Sequence, residues 1–350
     1  MRSERFGSGR SGFGNIETQK IDKEKAMKTF RMVAPALLAL FAGSCFAQAY
    51  PSKPLRVMVA SVAGGPPDII MRGFSEPLRQ EFGQPVIIEN VPAGDGIVAA
   101  QNLVRSAADG YNFMMASAGP VTVNPVLQKS LPYDAQKDFA PVGMIAQFNS
   151  VFVVNAAVPV NSLRELIAMA KAKPGSITFG TAGTPTTSNL YAEWFRHSQN
   201  VDFYNVPYKS NPQALQAVIS GEVQVTVFAA GAAVAQARAG KTKVLAIVAE
   251  KRVAGYADLP TVREEGLDLV IRNWYGLFAK AGTARDIVER WNRALAKVSL
   301  DQGFQDKILF SNGMERAAPS GESADVFAQF LVRDRALYER LQKEGRLKIE

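Results

Sequence analysis

One cysteine and one histidine are all that this chain of 350 residues offers of the two side chains most used in nucleophilic, redox and metal chemistry. Cys45 lies in an N-terminal leader, so the chain beyond residue 49 has no thiol, which excludes disulfides, zinc–thiolate sites and cysteine nucleophiles there. His197 falls on a predicted helix beside its aromatic face and reads as a surface or boundary residue. No G-x-S-x-G elbow, Walker loop or H-E-x-x-H motif occurs. Gly7-Ser8-Gly9-Arg10-Ser11-Gly12 matches G-x-G-x-x-G in form only, because no strand precedes it. Glu264-Glu265 are read as neighbours on a polar helix that point different ways, a solvated face rather than a carboxylate pair. There is no basic patch with interleaved aromatics, and nucleic acid is not an expected partner. The net charge of +8 is concentrated at the start: residues 1–49 carry eight Lys/Arg and four Asp/Glu, leaving 32 basic and 28 acidic residues in 50–350, a net +4. The expectation is no catalytic residue, no cofactor and no metal.

The chain also lacks an apolar run long enough to cross a membrane, since residues 32–49 fall short of the about 20 required. Preceded by Met27-Lys28-Thr29-Phe30-Arg31 and ending in Ala47-Gln48-Ala49, that run has the charged start, apolar middle and small-residue end of a secretory signal. Export to the periplasm is expected, with Met27 as the start and cleavage after Ala49. Gly43-Ser44-Cys45 is a degenerate lipoprotein box, and Ala42 in place of the usual leucine favours ordinary cleavage.

What remains, residues 50–350, alternates strand and helix without a low-complexity linker, the pattern of an α/β protein with mainly parallel sheets. Strands are predicted at 55–60, 86–89, 112–116, 151–155, 177–180, 203–206, 223–228 and 244–248. Ser162-Leu163-Arg164-Glu165 is a capping box that opens a helix running to Ala172. Two similar halves explain the pattern better than one long sheet, because each half has a loop of the same kind. Ser61-Val62-Ala63-Gly64-Gly65-Pro66-Pro67-Asp68 follows a strand and opens a helix with Ile69, Ile70, Phe74, Leu78 and Phe82 at helical spacing. Thr181-Ala182-Gly183-Thr184-Pro185-Thr186-Thr187-Ser188 does the same before Leu190, Tyr191, Trp194 and Phe195. Glycine lets backbone approach a ligand, and unpaired first-turn amides at the positive end of a helix suit an anion. Asp68 is either a water-bridging ligand residue or a favourable first-turn charge. Lys209 reads as a solvated loop lysine, and Tyr208 as either a wall of the cleft or packing beneath it.

Several phrases, in order along residues 50–350, resemble the tripartite tricarboxylate transporter substrate-binding proteins, also called the Bug family. They include Tyr50-Pro51-Ser52-Lys53-Pro54, Ala63-Gly64-Gly65 with Asp68, Gly83-Gln84-Pro85-Val86, Asp109-Gly110-Tyr111, Leu131-Pro132-Tyr133-Asp134 and Lys137-Asp138-Phe139. Val206-Pro207-Tyr208-Lys209, Leu259-Pro260-Thr261-Val262 and Trp274-Tyr275-Gly276-Leu277 follow. The resemblance implies a periplasmic-binding-protein-like α/β fold of two doubly wound lobes joined by crossing hinge strands. It divides the chain into an extension and signal peptide (1–49), a first lobe (50–150 and 274–350, the latter with the C-terminal helices) and a second lobe (151–273). It also implies a small organic carboxylate as ligand, hinge closure as mechanism, a membrane permease as partner and a monomeric state. By position, Ala63, Gly64 and Asp68, with Ser117, Ala118 and Gly119, correspond to the first-lobe ligand loops; Thr181, Ala182, Gly183, Thr186 and Ser188 correspond to the facing loop, and Tyr208 is grouped with them. The chain departs from the pattern at Pro66-Pro67, at Ser188-Asn189 in place of Ser-His, and at Ala229-Ala230-Gly231 in place of Asp-Asn. Trp274-Tyr275-Gly276 is read as hinge and interlobe packing. A sensory receptor, or an exported enzyme working through Asp68, Ser117 or Thr181, are the other readings. Gly64→Val is expected to block ligand approach and leave folding largely intact.

Overall fold

The computed structural model describes residues 50–350 except 184–185, 269–270, 346 and 348–350. The leader readings at Met27, Cys45 and Ala49 lie outside the described residues. Pro51–Glu350 forms one compact unit built on two sheets. Strands β1 (Leu55–Val59), β2 (Val86–Asn90), β3 (Asn112–Ser117), β4 (Phe139–Phe148), β10 (Asn273–Lys280) and β11 (Met314–Glu315) make the first, in the order β11-β4-β10-β3-β1-β2. Strands β5 (Ser150–Asn155), β6 (Thr178–Thr181), β7 (Tyr204–Pro207), β8 (Val225–Ala229) and β9 (Thr242–Ile247) make the second, in the order β7-β6-β8-β5-β9. The described residues thus form a two-lobed α/β protein.

The sheets are mixed, which corrects the expectation of mainly parallel pairing. β1 pairs parallel with β2 and β3, and β6 with β7 and β8. β10 runs antiparallel to β3 and β4, and β5 antiparallel to β8 and β9. The reversed strands are those that carry the chain between lobes. β4 and β5 are separated by Asn149 alone, so a strand leaving one sheet enters the next without a helix to turn it.

Each parallel unit has a helix whose apolar stripe faces the sheet. Helix α1 (Pro66–Phe82) buries Ile70, Met71, Phe74, Leu78 and Phe82 and stops at Gly83, whose left-handed backbone donates to the Arg79 carbonyl. Helix α2 (Ile97–Arg105) follows β2, and α3 (Leu163–Ala172) opens at Ser162, whose hydroxyl accepts from the Glu165 amide. Helix α4 (Thr187–Gln199) places Leu190, Tyr191, Trp194 and Phe195 in the second core. His197 is exposed near the end of α4, 3.6 Å from Glu193. Helices α5 (Asn211–Ser220) and α6 (Ala230–Arg238) complete the second lobe, and α7 (Arg285–Leu300) covers the first sheet with Trp291 against Phe82 and Phe113. Glu264 and Glu265 lie in a turn, not a helix: Glu264 accepts from Arg252 and the Thr261 amide, and Glu265 from the Arg164 amide.

The last helix, α8 (Ala324–Lys343), belongs to both cores. Phe327 and Phe330 pack edge-on against Trp274 of β10, whereas Tyr338 and Leu341 sit in the second-lobe core with Phe152 and Tyr191. The segment after β3 crosses likewise, since Val123, Val126 and Leu127 pack into the second core. Gly276 lies directly beneath Phe327, where a Cβ would run into the ring. Overpacking of this kind costs roughly 1–3 kcal/mol, so Gly276→Ala is expected to lower the melting temperature and Phe327→Leu to restore part of the loss in the double variant. Thermal melts of the four proteins of that cycle check it.

Candidate functional site

Register brings the predicted loops to facing sheet edges. Ser117, the last residue of β3, pairs with Tyr275, and Tyr275 pairs with Ala146 near the end of β4. Across Asn149, Ser150 opens β5 opposite Ala229, the last residue of β8, and β8 runs parallel to β6. The carboxyl ends of β1 and β3 in one lobe, and of β6 and β8 in the other, therefore all point to the crossover. In open α/β sheets ligands bind at such ends. The crossover is tied by hydrogen bonds from the Ala230 amide to the Asn149 carbonyl (2.8 Å), from the Val248 amide to the Ser150 carbonyl (2.8 Å) and from Asn273 Nδ2 to Ser150 Oγ (2.9 Å).

The first loop is internally braced. Gly64, at φ +75°, donates its amide to Asp68 Oδ2 (2.9 Å), and Arg72 Nε donates to the same oxygen (2.9 Å). Asn90 Nδ2, at the end of β2, donates to Asp68 Oδ1 (2.9 Å) and to the Ser61 carbonyl (3.2 Å). Burial pushes the Asp68 carboxyl up, but the bonds from Arg72, Gly64 and Asn90 and the Arg72 charge together hold it below its ordinary value of 3.8. Asp68 is thus neither a solvated first-turn charge nor a group with an obvious acceptor to spare; it is the post around which the loop is wound. An external anion at the Gly64 amide would have to displace it. With Pro66 and Pro67 lacking N–H groups, the donors left open on this loop are the amides of Val62 and Ala63, which are exposed and have no intramolecular acceptor among the described residues.

The second loop repeats the plan. Gly183 has φ +76°, the Ala182 amide donates to Ser188 Oγ (3.0 Å), and the Gly183 amide donates to Thr181 Oγ1 (3.3 Å). Thr186 Oγ1 donates to the Gly183 carbonyl (2.6 Å), and Ser188 Oγ donates to Asn211 Oδ1 (2.7 Å). An asparagine on the neighbouring parallel strand again braces the turn: Asn205 of β7 accepts from Thr181 Oγ1 (2.9 Å) and donates to Asn189 Oδ1 (2.9 Å). Asn90 and Asn205 brace the two candidate loops and were missed by sequence reasoning, the signal being an asparagine on each strand that follows a glycine loop and its helix.

Ser117, Ala118 and Gly119 are half-buried at the end of β3, and the Ser117 hydroxyl has no partner among the described residues. Tyr208 does not present its hydroxyl to this edge. It donates to Glu222 (2.8 Å), and burial together with that carboxylate pushes it up to about 12, so it packs beside Val206 on the small cluster of Ala217, Val218 and Val223. Lys209 is exposed. The wall after β8 is apolar and close-fitting, because a Cβ on Gly231 would stand 2.8 Å from the Gly313 backbone across the lobes. Tyr275 stacks on Phe148 (5.4 Å between rings) where the strands cross. What the edges offer is a set of neutral donors: the Val62 and Ala63 amides, the Ser117 hydroxyl and the first-turn amides of α4, which have no intrahelical acceptor. Such donors can cradle a carboxylate. Neither Asp68 nor Thr181 is free to act as a base or nucleophile, for both are taken up in bracing. Among the described residues no group of His, Cys, Asp and Glu could hold a metal ion.

Asp68→Ala leaves the Gly64 amide and Arg72 Nε without their acceptor, an expected cost of about 1–3 kcal/mol that a thermal melt would register. Because the folded carboxyl titrates below its ordinary value, its contribution is present above about 3.8 and is lost as pH falls through the lower folded value, so wild type and Asp68→Asn converge in strong acid. The left-handed backbone of Gly64 also revises the expectation for Gly64→Val: a β-branched residue there is strained even though open space surrounds it, so the melting temperature falls as well.

The family model for the tripartite tricarboxylate transporter family receptor matches residues 70–343. A UPF0065 protein encoded in the gbd 5′ region of Cupriavidus necator is 32% identical over 310 residues, covering 88% of this chain and 94% of its own. Protein BugT of Bordetella pertussis is 30% identical over 265 residues, 75% of this chain and 80% of its own. Among solved structures, the R. palustris protein Rpa4515 with adipate superposes at a TM-score of 0.75 with 27% identity, covering 84% of this chain and 97% of that one. MatC from Rhodopseudomonas palustris with bound malate superposes at 0.73 with 27% identity, covering 83% and 99%. With the two-lobed fold and the paired loops at the crossover, these matches place the chain in the tripartite tricarboxylate transporter receptor family, the periplasmic solute-binding proteins that include the Bug proteins.

Proposed function

We propose that this protein captures a small organic carboxylate between its lobes and delivers it to the membrane permease of a tripartite tricarboxylate-type transporter. The observation that carries the reading is the pair of like-built loops, each braced by a first-turn side chain and an asparagine from the next strand, on facing sheet edges. Two structurally similar proteins hold adipate and malate. A carboxylate on neutral donors needs no arginine clamp, and Arg72 is already committed to Asp68.

In this reading the lobes comprise 50–150 with 274–350, and 151–273, although the far end of α8 and the segment after β3 pack on the second core. Closure is a population shift: a solute that touches both lobes binds the closed form more tightly and draws the open ensemble toward it. Residues 27–49 act as the export signal, cleaved after Ala49, and the mature protein works as a monomeric binding protein without catalysis. The braced Asp68 and Thr181 favour this over the reading of an enzyme on a small acid.

The test is a thermal-shift screen of the mature protein against malate, adipate, citrate and other small carboxylates, followed by calorimetry. A ligand at 100 times its dissociation constant stabilises by about 2.7 kcal/mol, an easily seen shift. If no carboxylate stabilises the protein, the reading fails.

A further inference from the structure

Asp334 is a buried carboxylate at the middle of α8, 6% exposed, where that helix passes from one core to the other. Its Oδ2 accepts from Thr122 Oγ1 at 2.7 Å and from Trp274 Nε1 at 3.1 Å. It therefore joins three segments that link the lobes: α8, the segment after β3, and the start of β10. The Thr122 hydroxyl also lies 3.2 Å from the carbonyl of Ala118, in the candidate ligand loop. One hydroxyl has one proton to give. An ionised Asp334 is acceptor-only and takes that proton. When Oδ2 is itself protonated, its O–H donates to Thr122 Oγ1, and the Thr122 proton is released to the Ala118 carbonyl; no proton is lost or gained beyond the one on the carboxyl.

We propose that Asp334 is a positioning residue that sets the order of Ser117-Ala118-Gly119, where β3 runs into the π-helical turn Gly119–Val123, through the direction of the Thr122 hydroxyl. The protonated form adds a Thr122 bond to the Ala118 carbonyl at the head of that turn, and the ionised form removes it. The proposal rests on the reading that this loop belongs to the ligand cleft, but its effect on the loop is measurable without any ligand.

The surroundings allow the titration. Burial pushes the Asp334 carboxyl up to about 6, against the bonds from Thr122 and Trp274 and the charge of Arg272, which pull it down. Tyr338, one turn along α8, is buried and neutral. Glu250, Arg263, Asp268, Arg272, Arg333 and Arg340 line the open cavity of about 340 Å³ onto which Asp334 backs. The Gly119–Val123 segment carries no ionisable side chain, and β10 carries only Tyr275 and Lys280. Since the folded value lies above the ordinary 3.8, the folded state holds the extra proton between the two values. The stability contributed by this group is full below about 3.8 and is lost as pH rises through about 6.

Hydrogen exchange of the mature protein, read by mass spectrometry at about pH 5 and about pH 7.5 and corrected for intrinsic rates, tests the proposal against Asp334→Asn and Thr122→Val. In the wild type, protection of the Ser117–Val123 amides should be several-fold higher in acid. Asp334→Asn keeps an acceptor but cannot titrate, and its loop protection should not change with pH. Thr122→Val keeps the titrating carboxyl, so its melting temperature still rises in acid, yet its loop protection should not follow. A wild-type loop indifferent to pH, or a Thr122→Val loop that responds as the wild type does, overturns the proposal. Malate and adipate are then titrated at both pH values: if neither they nor other small carboxylates bind, the carboxylate reading falls while the loop result stands.

Discussion

The fold depends on a crossing one residue long. Between the end of β4 and the start of β5 stands Asn149 alone, and its carbonyl is fixed by the Ala230 amide of the second lobe. A connection that short cannot carry a helix, and the strands that enter each lobe, β5 and β10, run antiparallel to the βα strands beside them. That single constraint makes the sheets mixed. It also sets β3, β8 and, through β8, β6 with their carboxyl ends toward the same gap. The loops face one another because the crossing leaves them nowhere else to go.

Given that placement, the chemistry of each loop follows from how its own polar groups are satisfied. A glycine in the left-handed region bends the chain, and a first-turn side chain accepts the loop amide, Asp68 in one lobe and Ser188 in the other. An asparagine on the next strand locks the pair, Asn90 in the first lobe and Asn205 in the second. The bracing takes up Asp68, Arg72 and Thr181, and it leaves backbone amides and the Ser117 hydroxyl at the rim. Preorganised neutral donors suit reversible capture, because little ordering remains to be done when the ligand arrives. The Gly231–Gly313 contact lets the second lobe approach the first closely on the apolar side of the gap.

Much of this was legible in the sequence where information is local. β1, β3 and β6 are apolar or β-prone runs bounded by glycine and serine, and α1 and α4 show their stripes at once. β4 and β10 were not read as strands, because Pro141, Gly143 and Gly276 interrupt their patterns and what holds them is pairing with residues far along the chain. Of the two roles open to Tyr208, the packing one depends on Glu222, which sits on the far side of a helix from it in sequence. The loops were visible as glycine turns, but their bracing was not: nothing near Asp68 announces Asn90, 22 residues on, and nothing near Thr122 announces Asp334, 212 residues on. Glycine position is encoded locally, whereas the fate of a hydrogen bond is decided by topology.

The central claim is that one solute bridges two like-built loops. It is tested most directly by a crystal structure of the protein purified without refolding, its bound solute identified by mass spectrometry of the same sample. The expected result is a carboxylate within hydrogen-bonding distance of the Ala63 amide on one side and of the first turn of α4 on the other. A solute held by one lobe only, or lodged away from both loops against Glu315 and Asn149, would contradict it.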